Sequence, residues 1–153
     1  MKNYLAFLSF LFSCLNVKKI ETSEAEFKNL QKGFYSGIRE KKEMVIKDKE
    51  EFLKLWKDLT SIFLPSPEPP DIDFNKYILI CVFMGEKPTG GYEIEIKRIF
   101  EKKEEISVYV KEVSPGQNCI VTMALTQPYH IVIFKKTKKK FKFYFEEEKR
   151  NCS

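Results

Sequence analysis

Hydrophobic and polar positions change period several times along the chain, and each change predicts an element. From Tyr77 onward the pattern is that of strands. "YILICVFM" is apolar almost throughout, as in a strand buried on both faces. "YEIEIKRIF" and "ISVYVKEV" alternate, and the charged turn Glu101 to Glu105 predicts that they form a hairpin. "CIVTMAL", "PYHIVIF" and "FKFYF" read as three further strands. The "KKTKKK" segment between the last two reads as a lysine-rich hairpin tip guarding a β edge, or else as a site of attraction to anionic headgroups.

Ahead of Tyr77 the periods are shorter. "GFYSGIREKKEMVIKD" predicts two strands centred on Tyr35–Arg39 and Met44–Lys47. Asp48 and Glu51 have the spacing of a capping box, and Phe52, Leu55, Trp56 and Leu59 then recur at helical spacing. That helix must end before "LPSPEPPDID", whose four prolines remove backbone donors and favour an extended surface connection. The fold class expected is mostly β (α+β): an antiparallel β sandwich or open barrel, with an immunoglobulin-like arrangement among the options. One amphipathic helix is expected to cover an end.

The N-terminal pattern belongs to a different kind of segment. Lys2 precedes the apolar run Tyr4–Leu15, which is shorter than the ~20 residues needed to cross a bilayer. A basic start and a short apolar stretch are the marks of an export signal. Leu11-Phe12-Ser13-Cys14 resembles a bacterial lipoprotein signal, which implies lipidation of Cys14 and a membrane anchor. Residues 1–14 are thus expected to be a signal peptide, 15–32 a tether with room for a short helix over Ala25–Gln31, and 33–153 the β domain. The expected location is the periplasmic or extracellular side of a membrane.

Composition narrows the function. The 153 residues suffice for one domain, and 43% hydrophobic with 14% aromatic residues supply a core. The net charge of +5 arises from 27 basic and 22 acidic residues that are interspersed, which argues against nucleic acid as a partner. A single histidine, His130, excludes metal sites built on several imidazoles, and no metal or cofactor is expected. A Cys119–His130 nucleophile pair ranks far below a buried, hydrogen-bonded histidine, so no catalytic residues and no enzymatic activity are expected. Cys81 reads as a plain buried thiol, while the pairing of Cys81, Cys119 and Cys152 stays open.

Three inter-strand loops have unusual composition. "GEKPTGGY" brings Pro88 and the adjacent Gly90 and Gly91 before Tyr92. "SPGQNC" contains Pro115-Gly116, and "LTQPYH" places Pro128 within strand-like sequence. Together these segments resemble the PrcB C-terminal domain family, with "VIKDKEEFLKLWKDL" also fitting. The resemblance runs from about Tyr35 to Phe145. It implies an exported, non-enzymatic protein-binding module that associates with a protease and stabilises it.

A weaker resemblance links Pro88-Thr89-Gly90-Gly91-Tyr92 and Gln127-Pro128-Tyr129 to loops of chagasin-like cysteine-protease inhibitors, which are immunoglobulin-like sandwiches. Lys87, Gly90 and Gln127 depart from that pattern. The expected partner-binding residues are Lys87, Pro88, Thr89, Gly90, Gly91 and Tyr92, with Gln127, Pro128, Tyr129 and His130. The competing expectation is a structural envelope or adhesion domain in which these loops only shape turns.

Overall fold

The computed structural model describes residues 22–152; the apolar run and Cys14 lie outside them. Among the described residues, eight strands and one helix follow in order: β1 (Ser23–Glu24), β2 (Lys28–Gly33), β3 (Lys41–Ile46), α1 (Lys49–Leu59), β4 (Tyr77–Met84), β5 (Glu93–Glu101), β6 (Glu105–Pro115), β7 (Tyr129–Lys135) and β8 (Lys140–Arg150). They form two four-stranded sheets, ordered β1-β5-β6-β8 and β2-β7-β4-β3. The fold is a sandwich, and the open-barrel alternative falls away.

The continuous apolar run of β4 is explained by two cores. Ile78, Ile80, Val82 and Met84 point between the sheets, where they meet Ile94, Ile96, Val108 and Phe134. Leu79, Cys81 and Phe83 point the other way, onto Phe52, Leu55, Trp56 and Leu59 of α1. Each of those helix side chains adds about 1.5–3 kcal/mol by burial. The helix therefore covers the outer face of one sheet rather than an end of the sandwich. Asp48 caps it by accepting the Glu51 N–H at 2.9 Å, and Glu51 accepts the Lys47 N–H in return. Beyond the helix, Trp56 Nε1 donates to the Pro67 carbonyl at 2.8 Å, which pins the proline-rich connection over the second core.

Four expectations need correction. The tether expected over 15–32 is strand from Ser23: β1 pairs with β5 and β2 with β7. Ala25 and Phe27 pack on the inter-sheet core and Leu30 on the helix-side core, so no helix spans Ala25–Gln31. Tyr35–Arg39 is irregular chain, because Gly37 donates to the Leu59 carbonyl at 3.0 Å and the segment docks on the end of α1 instead of a strand. "CIVTMAL" is a loop as well.

Finally, "KKTKKK" is not a hairpin tip. It carries the chain from one sheet to the other, and β8 then runs parallel to β6, from Glu105 opposite Lys140 to Pro115 opposite Arg150. Lys135 and Lys139 both bind Glu101, at 2.5 and 2.7 Å, so part of the lysine cluster is fastened to β5. The remaining pairings are antiparallel, and the expected β5–β6 hairpin forms with a bulge between Ile96 and Arg98.

Candidate functional site at one pole of the sandwich

Two connections meet at one pole: residues 85–92, which lead into β5, and residues 116–128, which run from β6 to β7, so the second and third loops expected from the sequence are one continuous loop. Their convergence is held by backbone bonds. Lys87 and Thr126 form an isolated bridge, exchanging N–H···O bonds of 2.8 and 3.0 Å. The Gly90 N–H donates to the Thr122 carbonyl at 2.9 Å, and Thr126 Oγ1 donates to the Thr89 carbonyl at 2.8 Å. Gly91 has φ +85°, and a Cβ there would sit 2.9 Å from Val121 and 3.0 Å from Pro115. Both features call for glycine: a left-handed backbone and a close approach to the end of β6 and to the loop that follows it. A disulfide, Cys119–Cys152, joins the start of the 119–126 loop to the chain just after β8.

These contacts leave a cleft of about 260 Å³ lined by Phe34, Tyr35, Gly90, Tyr92, Thr122 and Arg150, among others. Tyr92 is half-buried and leans on the inter-sheet core, with Lys87 Nζ 5.7 Å from its ring centroid. Around the cleft stands apolar surface. Ile120 is fully exposed and Met123 88% exposed, with Leu125, Phe34 and Tyr35 about half exposed. Isolated apolar residues on a surface are ordinary, whereas a group of them on one set of loops marks a place for association. Arg150 donates to Glu93 at 3.2 Å, and Lys32 binds Glu93 at 2.6 Å, so the polar rim is internally paired.

The structure divides the residues expected to bind a partner. Lys87, Pro88, Thr89, Gly90, Gly91 and Tyr92 lie at the pole and are exposed or half-buried. Gln127, Pro128, Tyr129 and His130 are buried, so as surface contacts they must be withdrawn. Gln127 donates to Glu86 at 3.0 Å and its backbone is held by Phe34 and Ser36. Tyr129 stacks on Phe83 and fills the space beside Gly33. His130 points between the sheets, with Nδ1 accepting the Ile96 N–H and Nε2 bonded to Asn29 Oδ1 at 3.0 Å. These four position the loop from beneath.

Sequence reasoning missed Phe34, Tyr35, Ile120, Met123 and Leu125. A signal was present in "CIVTMAL": its alternation fails at Ile120-Val121 and again at Met123-Ala124-Leu125, so no single face could bury it. The Cys119–His130 pair is ruled out, because Cys119 is in a disulfide and His130 is enclosed. Cys81 is a free thiol buried between strands, and burial pushes its pKa far above the usual thiol value.

A two-sheet sandwich with a stapled loop pole is the class of protein that this geometry defines. Residues 78–135 match the family model described as PrcB C-terminal, so the family that the loop motifs resemble is the one whose model matches this segment, from β4 to the end of β7. The match contains the 85–92 and 119–130 loops. No curated protein and no solved structure matches the chain.

Proposed function

We propose that the protein is a non-enzymatic binding module that associates with a protease and stabilises it, held at a membrane by lipidated Cys14 on the periplasmic or extracellular side. The observation that carries this reading is the joining of the 85–92 and 116–128 loops around one apolar-rimmed cleft, both loops lying within the family-matched segment. Docking would use Tyr92 in the cleft and Ile120, Met123 and Leu125 at its rim, with binding through shape and apolar contact and no turnover.

The polarity of the sandwich supports the anchored arrangement. Ser23 pairs with Glu101 at the far end of β5, while the loop pole precedes Glu93 at its near end. A strand of nine residues is about 27 Å long. Chain arriving from Cys14 therefore enters at the pole opposite the cleft, beside Lys103, Lys138 and Lys140. Those cations suit an anionic headgroup surface, and the cleft then faces away from it.

Capture from an envelope extract tests the binding claim. The intact protein is expected to recover a protease that a folded Ile120→Asn, Met123→Gln variant does not. Equal recovery by both would remove the loop assignment. Labelling with a palmitate analogue that survives Cys14→Ala would remove the anchor.

A structural envelope domain is the second reading, and the tight glycine contacts favour it, since Gly90 and Gly91 are already required by packing against Thr122, Val121 and Pro115. It is distinguished by rim substitutions that leave every envelope interaction intact.

A further inference from the structure

Among the described residues the outer edge of β8 has no neighbouring strand, for β8 closes one side of the sheet β1-β5-β6-β8. It is a long edge of eleven residues, and its pairing with β6 has no break in register. A long, regular edge strand is a template for another strand unless something protects it. Here there is neither proline nor bulge. The charges are segregated instead: Lys140 and Lys142 come first, Glu146 and Glu148 later, with Tyr144 midway. All five share the sheet face on which Tyr144 stacks against Tyr109.

That order is self-complementary. We propose that β8 pairs antiparallel with β8 of a second copy of this chain, about a two-fold axis through Tyr144. Lys142 then lies opposite Glu146 of the partner copy and Lys140 opposite Glu148, each pair repeated by the symmetry. On the other face Phe143 lies opposite Phe145, a ring that is 38% exposed in the single chain. An isologous contact of this kind needs one strand that matches itself reversed. Parallel pairing would set Lys142 against Lys142. A slip of two residues in one direction sets Lys140 against Arg150, and in the other it sets Lys142 against Tyr144. Lys140, Lys142 and Glu146 are exposed and join none of the ion pairs among the described residues, so their charges are available. The dimer would join the two sheets edge to edge with the two loop poles open but facing opposite ways, so it excludes an arrangement in which both copies seat their Lys103–Lys140 poles on one membrane.

The test uses the full chain. Tyr144→Cys places a thiol on the proposed axis, where directly opposed strand positions are ~4.5–5.5 Å apart, within disulfide reach. Mild oxidation of the purified protein is expected to give a covalent dimer. Adding Lys142→Glu replaces attraction by repulsion at two symmetric places and is expected to lower the dimer yield by about tenfold. Adding Glu146→Lys to that variant restores the pairing and the yield. Without the cysteine, sedimentation of Lys142→Glu beside the unsubstituted chain and the double charge swap should show the same loss and recovery. Absence of a dimer, or dimerisation indifferent to charge reversal, overturns the proposal. So does cross-linking in cells solely to another protein.

Discussion

His130 Nδ1 accepts the backbone N–H of Ile96 at 2.9 Å, so the one histidine of the protein joins the two sheets. β1 pairs only with Phe100 and Glu101, and Ile96 lies on β5 beyond its reach, beside the bulge. The imidazole supplies the acceptor that a strand would otherwise provide. Protonation at Nδ1 would destroy that bond.

Stability should accordingly depend on mild acidity. Burial, with Lys32 nearby, lowers the His130 pKa from 6.5 to about 4, although Glu95 opposes this. The unfolded chain binds the proton more readily, so the contribution of neutral His130 is complete above about pH 6.5 and declines as pH falls toward 4. It amounts to about 3 kcal/mol at most. Denaturant unfolding of His130→Gln is expected to be flatter over that window than the natural protein. Below it, Glu93 adds a further loss, because its bond to Lys32 holds the carboxyl under its usual range.

Gly91→Ala should destabilise the fold by about 1–3 kcal/mol, since it combines a positive φ with contact against Val121 and Pro115. Thermal unfolding measures it. A substitution at Pro88, which is exposed, is expected to stay within about 0.5 kcal/mol.

Lys41 and Glu112 form a 2.7 Å ion pair in which Glu112 is almost wholly buried and its Oε1 has no hydrogen-bond partner among the described residues. Lys41→Met leaves that charge uncompensated and should cost about 3 kcal/mol. Adding Glu112→Gln should recover much of the loss, and a double-mutant cycle by equilibrium unfolding reads the coupling.

Reduction of Cys119–Cys152, or its replacement by Ser at both positions, releases a loop closed over 33 residues. The chain-entropy account puts the cost at about 3–4 kcal/mol. Hydrogen exchange is expected to rise first in the 119–126 loop and at the end of β8, with α1 unaffected.

Much of this architecture was legible because single elements carried their own reasons. The α1 stripe, its Asp48 cap and the two-sided burial of β4 follow from period and spacing alone. The β8 partner was not legible: "FKFYF" shows a strand, but no local pattern states whether it returns beside β7 or crosses to β6. Likewise β2 has too few apolar residues to signal a strand, and it exists because β7 offers an edge. At the pole, Gly90, Gly91 and Tyr92 could be found from their turn chemistry. Tyr129 was misjudged because an aromatic after proline looks the same in sequence whether it faces Phe83 or solvent.

The pairings β1–β5, β2–β7 and β6–β8 join strands far apart in the chain. Neither sheet can be completed early: β2 must wait for β7, and the disulfide waits for Cys152. Folding dominated by such distant contacts is slow. A newly made chain would thus lack both complete sheets until nearly all of it is available, and over that interval its unpaired strand edges and apolar faces are open to aggregation.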